Sequence, residues 1–113
     1  MTTEQIEQAF ETLTQGLKNV LGRQPDLQAL LFLIGVQELG QPGRPFSKEE
    51  KQDLMHIGVC HLLCDAGYFT YKGRDDEGWP HYEAQQAMPL DINNLAAQEE
   101  LLKRHVLRYF ESA

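Results

Sequence analysis

The sequence lacks the features that mark several specialised classes of protein. Its longest apolar run, residues 29–36, is far shorter than the ~20 residues that span a bilayer. The polar, acidic N-terminus predicts no signal peptide. The motifs of nucleotide-binding loops, zinc proteases, serine hydrolases and dithiol oxidoreductases are absent. We therefore expect no membrane segment, no cofactor and no catalytic residues.

Positive charge is also scarce. The chain has 10 Lys and Arg against 17 Asp and Glu, for a net charge of −7 among 113 residues. No segment forms the basic patch that proteins use to bind phosphate backbones. Nucleic acid is therefore disfavoured as a partner.

Cysteine is limited to Cys60 and Cys64, four residues apart on one predicted helix. A disulfide at this spacing within a helix is strained and uncommon. Two reduced thiols are typical of a reducing compartment, so we expect the protein to be cytoplasmic.

The remaining composition is that of an ordinary globular protein, with 42% apolar and 24% charged residues. The length predicts a single domain over residues 1–113. Two capping boxes, Thr2 with Gln5 and Ser47 with Glu50, mark the starts of two helices. The first helix is expected to end at Gly22. The helix that begins after Ser47, which is the third in the chain, is expected to end near Ala66, before Gly67.

A further helix is predicted from about Asp26 to Leu39. It is apolar on nearly all sides and should therefore be buried. Gly35 within it is expected to allow a neighbouring helix to approach closely.

The aromatic segments 68–71 and 79–82 predict two strands joined by a charged turn at 73–78. An extended connector at 88–90 and a last helix from about 91–94 to Phe110 follow. The predicted fold is mainly α with a small β-hairpin (α+β). Its order is helix, helix, helix, hairpin, helix, which resembles a winged-helix domain by analogy.

The third helix carries His56, Cys60 and Cys64 on one stripe, and His81 is a candidate fourth metal ligand. However, three positions over two helical turns span ~12 Å, whereas zinc needs ligands within ~2.3 Å. We therefore predict no metal site. A thiol enzyme is disfavoured too, because both cysteines lie in the C-terminal half of the helix, where the dipole disfavours a thiolate.

The predicted hairpin offers a candidate binding surface of Arg74, Trp79, His81 and Tyr82. Tryptophan and tyrosine are enriched at binding hot spots. Trp79 is equally suited to anchoring the hairpin to the core, and we favour that role. Glu38, His61 and Asp65 would form a polar cluster of interest, but no pattern in the sequence brings all three together.

Three segments carry a family resemblance. They are Phe46-Ser47-Lys48-Glu49-Glu50-Lys51, Leu54-Met55-His56-Ile57 and Gly78-Trp79-Pro80-His81. Over residues ~27 to ~83 the chain resembles a family of small uncharacterised bacterial proteins, and the Gly-Trp-Pro-His tetrapeptide is the most specific part. The resemblance implies bacterial origin and brings no activity or ligand.

We therefore expect a non-catalytic protein-interaction or adaptor module, acting on a protein partner or as a homodimer. One alternative is a winged-helix-like transcriptional regulator. Another is a domain that binds a small ligand or a metal around the histidines.

Overall fold

A computed structural model describes residues 2–41, 43–85 and 95–111, which form four helices and one two-stranded antiparallel sheet. The prediction of a mainly helical α+β fold with a small hairpin is confirmed. The predicted connector at 88–90 and the start of the last helix lie outside the described residues. No helix among those described is both long and apolar enough to cross a bilayer. The elements are α1 Thr3–Leu21, α2 Leu27–Leu39, α3 Lys48–Cys64, β1 Phe69–Arg74, β2 Pro80–Ala84 and α4 Leu95–Glu111.

Both predicted capping boxes are present at the helix starts. The Thr2 hydroxyl accepts the backbone N–H of Gln5, and the Gln5 side chain accepts the N–H of Thr2 in return. Ser47 and Glu50 make the same reciprocal pair at the start of α3, at 2.9 and 3.1 Å. These bonds satisfy backbone donors that a helix start otherwise leaves unpaired.

The described residues divide into two compact units, one of residues 1–28 with 89–113 and one of residues 29–88. The single domain over 1–113 stays a prediction. In the first unit α1 packs against α4. Thr3 bonds Glu100 at 3.2 Å and Glu7 bonds Lys103 at 3.0 Å. Because the residue numbers of the contacts increase along both helices, α1 and α4 run parallel. Their buried apolar residues are Ile6, Phe10 and Val106.

In the second unit, two glycines set the distance between α2 and α3. A Cβ added to Gly35 would lie 2.0 Å from the carbonyl oxygen of Leu54. A Cβ added to Gly58 would lie 2.3 Å from the carbonyl oxygen of Leu31. The two helices therefore cross with backbone against backbone, as predicted for Gly35. No such role was predicted for Gly58.

The chain leaves α3 through a turn closed by Gly67, which has a positive φ of 82°. The N–H groups of Gly67 and Tyr68 donate to the carbonyls of Cys64 and Leu63, the pattern of a Schellman motif. The regular helix therefore ends at Cys64, two residues before the predicted end, and the predicted glycine stop is confirmed.

The hairpin packs on α3 and is longer than predicted. A bulge between Tyr71 and Gly73 keeps the pairing going as far as Arg74 opposite Pro80. The hairpin contributes Trp79 and Tyr82 to the hydrophobic cluster of this unit. The buried members of that cluster are Leu39, Leu54 and Ile57, with Phe32, Val36 and Phe46 packed against them.

Gly35→Ala is expected to destabilise the protein by about 3 kcal/mol, because the new methyl group must push two backbones apart. Urea unfolding measures the loss. Gly16→Ala is the matched control, since Gly16 lies inside α1 with no atom within 4 Å of an added Cβ. That change should stabilise the protein by about 0.5–1 kcal/mol. Equal effects of the two substitutions would contradict the close helix crossing.

Candidate functional site

An open groove of about 430 Å³ lies between the N-terminal half of α3 and the turn end of the hairpin. Four carboxylates and two imidazoles line it, together with an indole and two apolar side chains. Among the described residues no lysine or arginine does so. The lining residues are Glu50, Asp53, His56 and Ile57 from α3 and Asp75, Glu77, Trp79, Pro80 and His81 from the hairpin.

On the α3 side, Glu50 is held by two partners. One oxygen accepts the N–H of Ser47 and the other accepts the guanidinium of Arg44 at 2.6 Å. The bond from Ser47, with the cation of Arg44 beside it, lowers the pKa of Glu50. Glu50 is therefore a fixed negative charge at neutral pH.

On the hairpin side, the carboxylate of Asp75 organises the turn. Its Oδ1 accepts the backbone N–H groups of Glu77 and Trp79 at 2.9 Å, and its Oδ2 lies 3.0 Å from Nε2 of His81. These bonds, led by the one to His81, lower the pKa of Asp75. The predicted turn of residues 73–78 is shorter than expected, because this carboxylate closes the chain within residues 75–79.

Trp79 lies between the core and the groove. It is half-buried, and it packs against the cluster around Leu39, Leu54 and Ile57. The guanidinium carbon of Arg44 lies 5.6 Å from the centre of a Trp79 ring, within cation–π range. Its partial burial fits the anchoring role that we favoured, while its place in the groove wall keeps it available to a binding partner.

Two groove carboxylates, Asp53 and Glu77, have no side-chain hydrogen bond or ion pair within the described part of the chain. By contrast, Glu50 and Asp75 are already engaged. The groove therefore has uncompensated negative charge on both of its sides.

The candidate binding residues divide between two places. Trp79 and His81 line the groove, but Arg74 and Tyr82 do not. The Arg74 guanidinium instead donates to the carbonyls of Glu38 and Leu39 at 2.5 and 3.2 Å, so it caps the C-terminal end of α2. Tyr82 is half-buried, and burial raises the pKa of its phenol, with Glu38 adding to the shift.

The metal-ligand candidates do not converge. Sγ of Cys60 lies 3.4 Å from Nε2 of His56, whereas His81 pairs with Asp75 on the hairpin. Within residues 2–41, 43–85 and 95–111, no three His, Cys, Asp or Glu side chains are grouped to hold a metal ion. Burial raises the pKa of Cys60 to about 11 and also raises the pKa of Cys64, so both thiols are protonated at neutral pH.

The structure brings Glu38 and His61 together, which no pattern in the sequence predicted. Nδ1 of His61 lies 3.3 Å from Oε1 of Glu38. The pair joins α2 to α3 across their crossing. This position gives it a structural role in holding the two helices.

No protein-family model, no curated protein and no solved structure matches this chain. The resemblance carried by the Gly-Trp-Pro-His segment therefore stays a prediction, as does the bacterial origin that it implies.

Three groove residues were singled out from the sequence: Trp79, His81 and, as a weak metal-ligand candidate, His56. Glu50 and Asp53 on the α3 side were not predicted to line a site. Glu50 and Asp53 look like an ordinary exposed helix start, because alternating Glu and Lys surround them. The available signal for an acidic site was the presence of acidic residues both at the start of α3 and in the turn of the hairpin that follows it. These two acidic segments line one groove because of the pairing register of β1 with β2, which depends on the bulge between Tyr71 and Gly73 and on the turn closed by Asp75.

Trp79→Ala is expected to destabilise the protein by more than about 2 kcal/mol, because it removes an indole packed on the core cluster. Thermal or urea unfolding measures the change. Val20→Ala is the control, since Val20 is 79% exposed and should be nearly neutral. A neutral Trp79→Ala would rule out the anchoring role.

Asp75→Asn is expected to remove a pH-dependent part of the stability. Because folding lowers the pKa of Asp75, its ionised form stabilises the fold above about pH 4. That contribution disappears as the pH falls through the folded-state pKa. The difference in unfolding free energy between wild type and variant should therefore shrink on acidification. Asp76→Asn, which removes a neighbouring carboxylate without those bonds, should show no such convergence.

Proposed function

We propose that this protein is a non-catalytic protein-interaction module that binds a segment of a protein partner in the groove between α3 and the hairpin. The observation that carries the proposal is the groove itself, whose lining includes the partly buried Trp79 and two carboxylates that have no side-chain partner among the described residues. Its volume of about 430 Å³ falls in the range of roughly 300–1,000 Å³ typical of ligand pockets.

Partial burial of an aromatic ring among polar groups is the arrangement expected of a binding hot spot. The core holds Trp79 in place, so little conformational entropy is lost when a partner covers its remaining surface. Asp75 fixes the turn on which Glu77 and Trp79 lie. The hairpin side of the groove is therefore organised before a partner binds.

We also propose that the protein has no catalytic activity, and the support for this part is the protonation state of its two thiols. Burial holds Cys60 and Cys64 in the protonated form, which is a poor nucleophile. The contact between His56 and Cys60 therefore packs the helix surface without activating the sulfur.

The alternative of a winged-helix-like DNA regulator is the weaker one. In such a domain the helix before the hairpin enters the major groove of DNA. Here the start of that helix offers Lys48, Lys51 and Gln52 against Glu49, Glu50 and Asp53, and the groove beside it is acidic. Duplex DNA would be repelled at this surface.

Capture of partners from native lysate, with and without nuclease treatment, by three tagged forms tests the proposal. The groove variant is Asp53→Lys with Glu77→Lys. The control is Glu49→Lys with Asp76→Lys, which changes the net charge equally on the same two elements without altering groove-lining residues. A protein retained by wild type and control but lost by the groove variant is expected.

Two other outcomes would count against the proposed function. If every retained protein binds the groove variant as well, the groove is not the interaction site. If retention depends on nucleic acid and disappears with nuclease, the regulator alternative replaces it. Untagged copies of the same chain among the retained proteins would identify a homodimer.

A further inference from the structure

The charge of the groove restricts the chemistry of its occupant. Four carboxylates line it, and among the described residues no lysine or arginine does. A cleft lined by charge of one sign concentrates the opposite sign and rejects its own. An acidic segment would add repulsion, whereas a basic segment would compensate Asp53 and Glu77.

The wall of the groove already binds one guanidinium within the same chain. Arg44 donates to Glu50 at 2.6 Å and lies 5.6 Å from the centre of a Trp79 ring. Both of these partners line the groove. The bond to Glu50 comes from one nitrogen, Nη2. A carboxylate that accepts a guanidinium N–H and an aromatic ring beneath the planar cation are two groups that favour arginine.

The remaining carboxylates, Asp53 and Glu77, lie on different sides of the groove. Asp53 comes from α3 and Glu77 from the hairpin turn, so a group entering the groove meets one on each side. We propose that the segment bound in the groove is basic and inserts an arginine, whose guanidinium is held by Asp53 and Glu77. This inference rests on the proposed function and names the partner class for the same site.

Arginine is favoured over lysine for a physical reason. A guanidinium offers five donors in one plane, so it can bond to carboxylates on two sides while its face rests on an apolar surface. A lysine ammonium is a compact charge that is more strongly hydrated, so its desolvation on entering a partly apolar groove costs more free energy. Ile57, Pro80 and Trp79 supply that apolar surface.

The intrinsic fluorescence of Trp79 tests the inference directly, because Trp79 is the only tryptophan and lies in the groove. The wild-type protein is titrated with blocked tri-arginine, tri-lysine and tri-glutamate peptides at low ionic strength. Tri-arginine is expected to give a saturable change that weakens with added salt. Tri-lysine should bind at least about threefold more weakly, and tri-glutamate should give no saturable change.

A matched pair of double variants separates a site from general charge attraction. Asp53→Asn with Glu77→Gln should raise the Kd for tri-arginine at least about tenfold, or about 1.4 kcal/mol. Glu49→Gln with Asp76→Asn removes the same charge from the same elements outside the groove and should change the Kd less than about twofold. Both variants keep Trp79 as the reporter, and circular dichroism checks that they fold.

Several results would overturn the inference. These are no saturable response to tri-arginine, an equal response to tri-glutamate, an equal Kd for tri-lysine, or equal losses in the two double variants. Failure of this inference can be distinguished from failure of the proposed function. If tri-arginine does not bind but the lysine variants of the groove still lose a specific protein, then the groove is an interaction site with an occupant of different chemistry.

Discussion

The backbone contact between α2 and α3 is the constraint on which the second unit depends. Gly35 faces the carbonyl of Leu54, and Gly58 faces the carbonyl of Leu31, so the two contacts lie one helical turn apart on each helix. The close crossing lets Leu39, Leu54 and Ile57 form one cluster with Trp79 of the hairpin. The groove wall is therefore positioned by two residues that have no side chain.

Around that crossing, polar bonds hold the connections in place. Arg74 of the hairpin donates to the last carbonyls of α2, and His61 of α3 pairs with Glu38. Both contacts are at the C-terminal end of α2, where one joins it to the hairpin and the other joins it to α3, the two elements that form the groove. Surface pairs of this kind contribute little stability singly, but together they restrict how the hairpin sits on the helices.

Local chemistry explains what could be predicted from the sequence. The capping boxes at Thr2 and Ser47 and the glycine stop at Gly67 depend on neighbours within a few residues, and all three were predicted. The groove was not, because it depends on the hairpin register and on Asp75 accepting bonds from residues that follow it. Arg74 shows the same limit, since its carbonyl partners lie 35 and 36 residues earlier in the chain.

The pairing of α1 with α4 has a consequence for synthesis on the ribosome. The bonds of Thr3 to Glu100 and of Lys103 to Glu7 join residues 97 and 96 positions apart, whereas the bond from Arg74 to Glu38 in the second unit joins residues 36 positions apart. This second-unit contact therefore closes a shorter loop than the contacts between α1 and α4 do. The apolar face of α1, with Ile6 and Phe10, stays without its α4 partner until residues near Val106 have emerged.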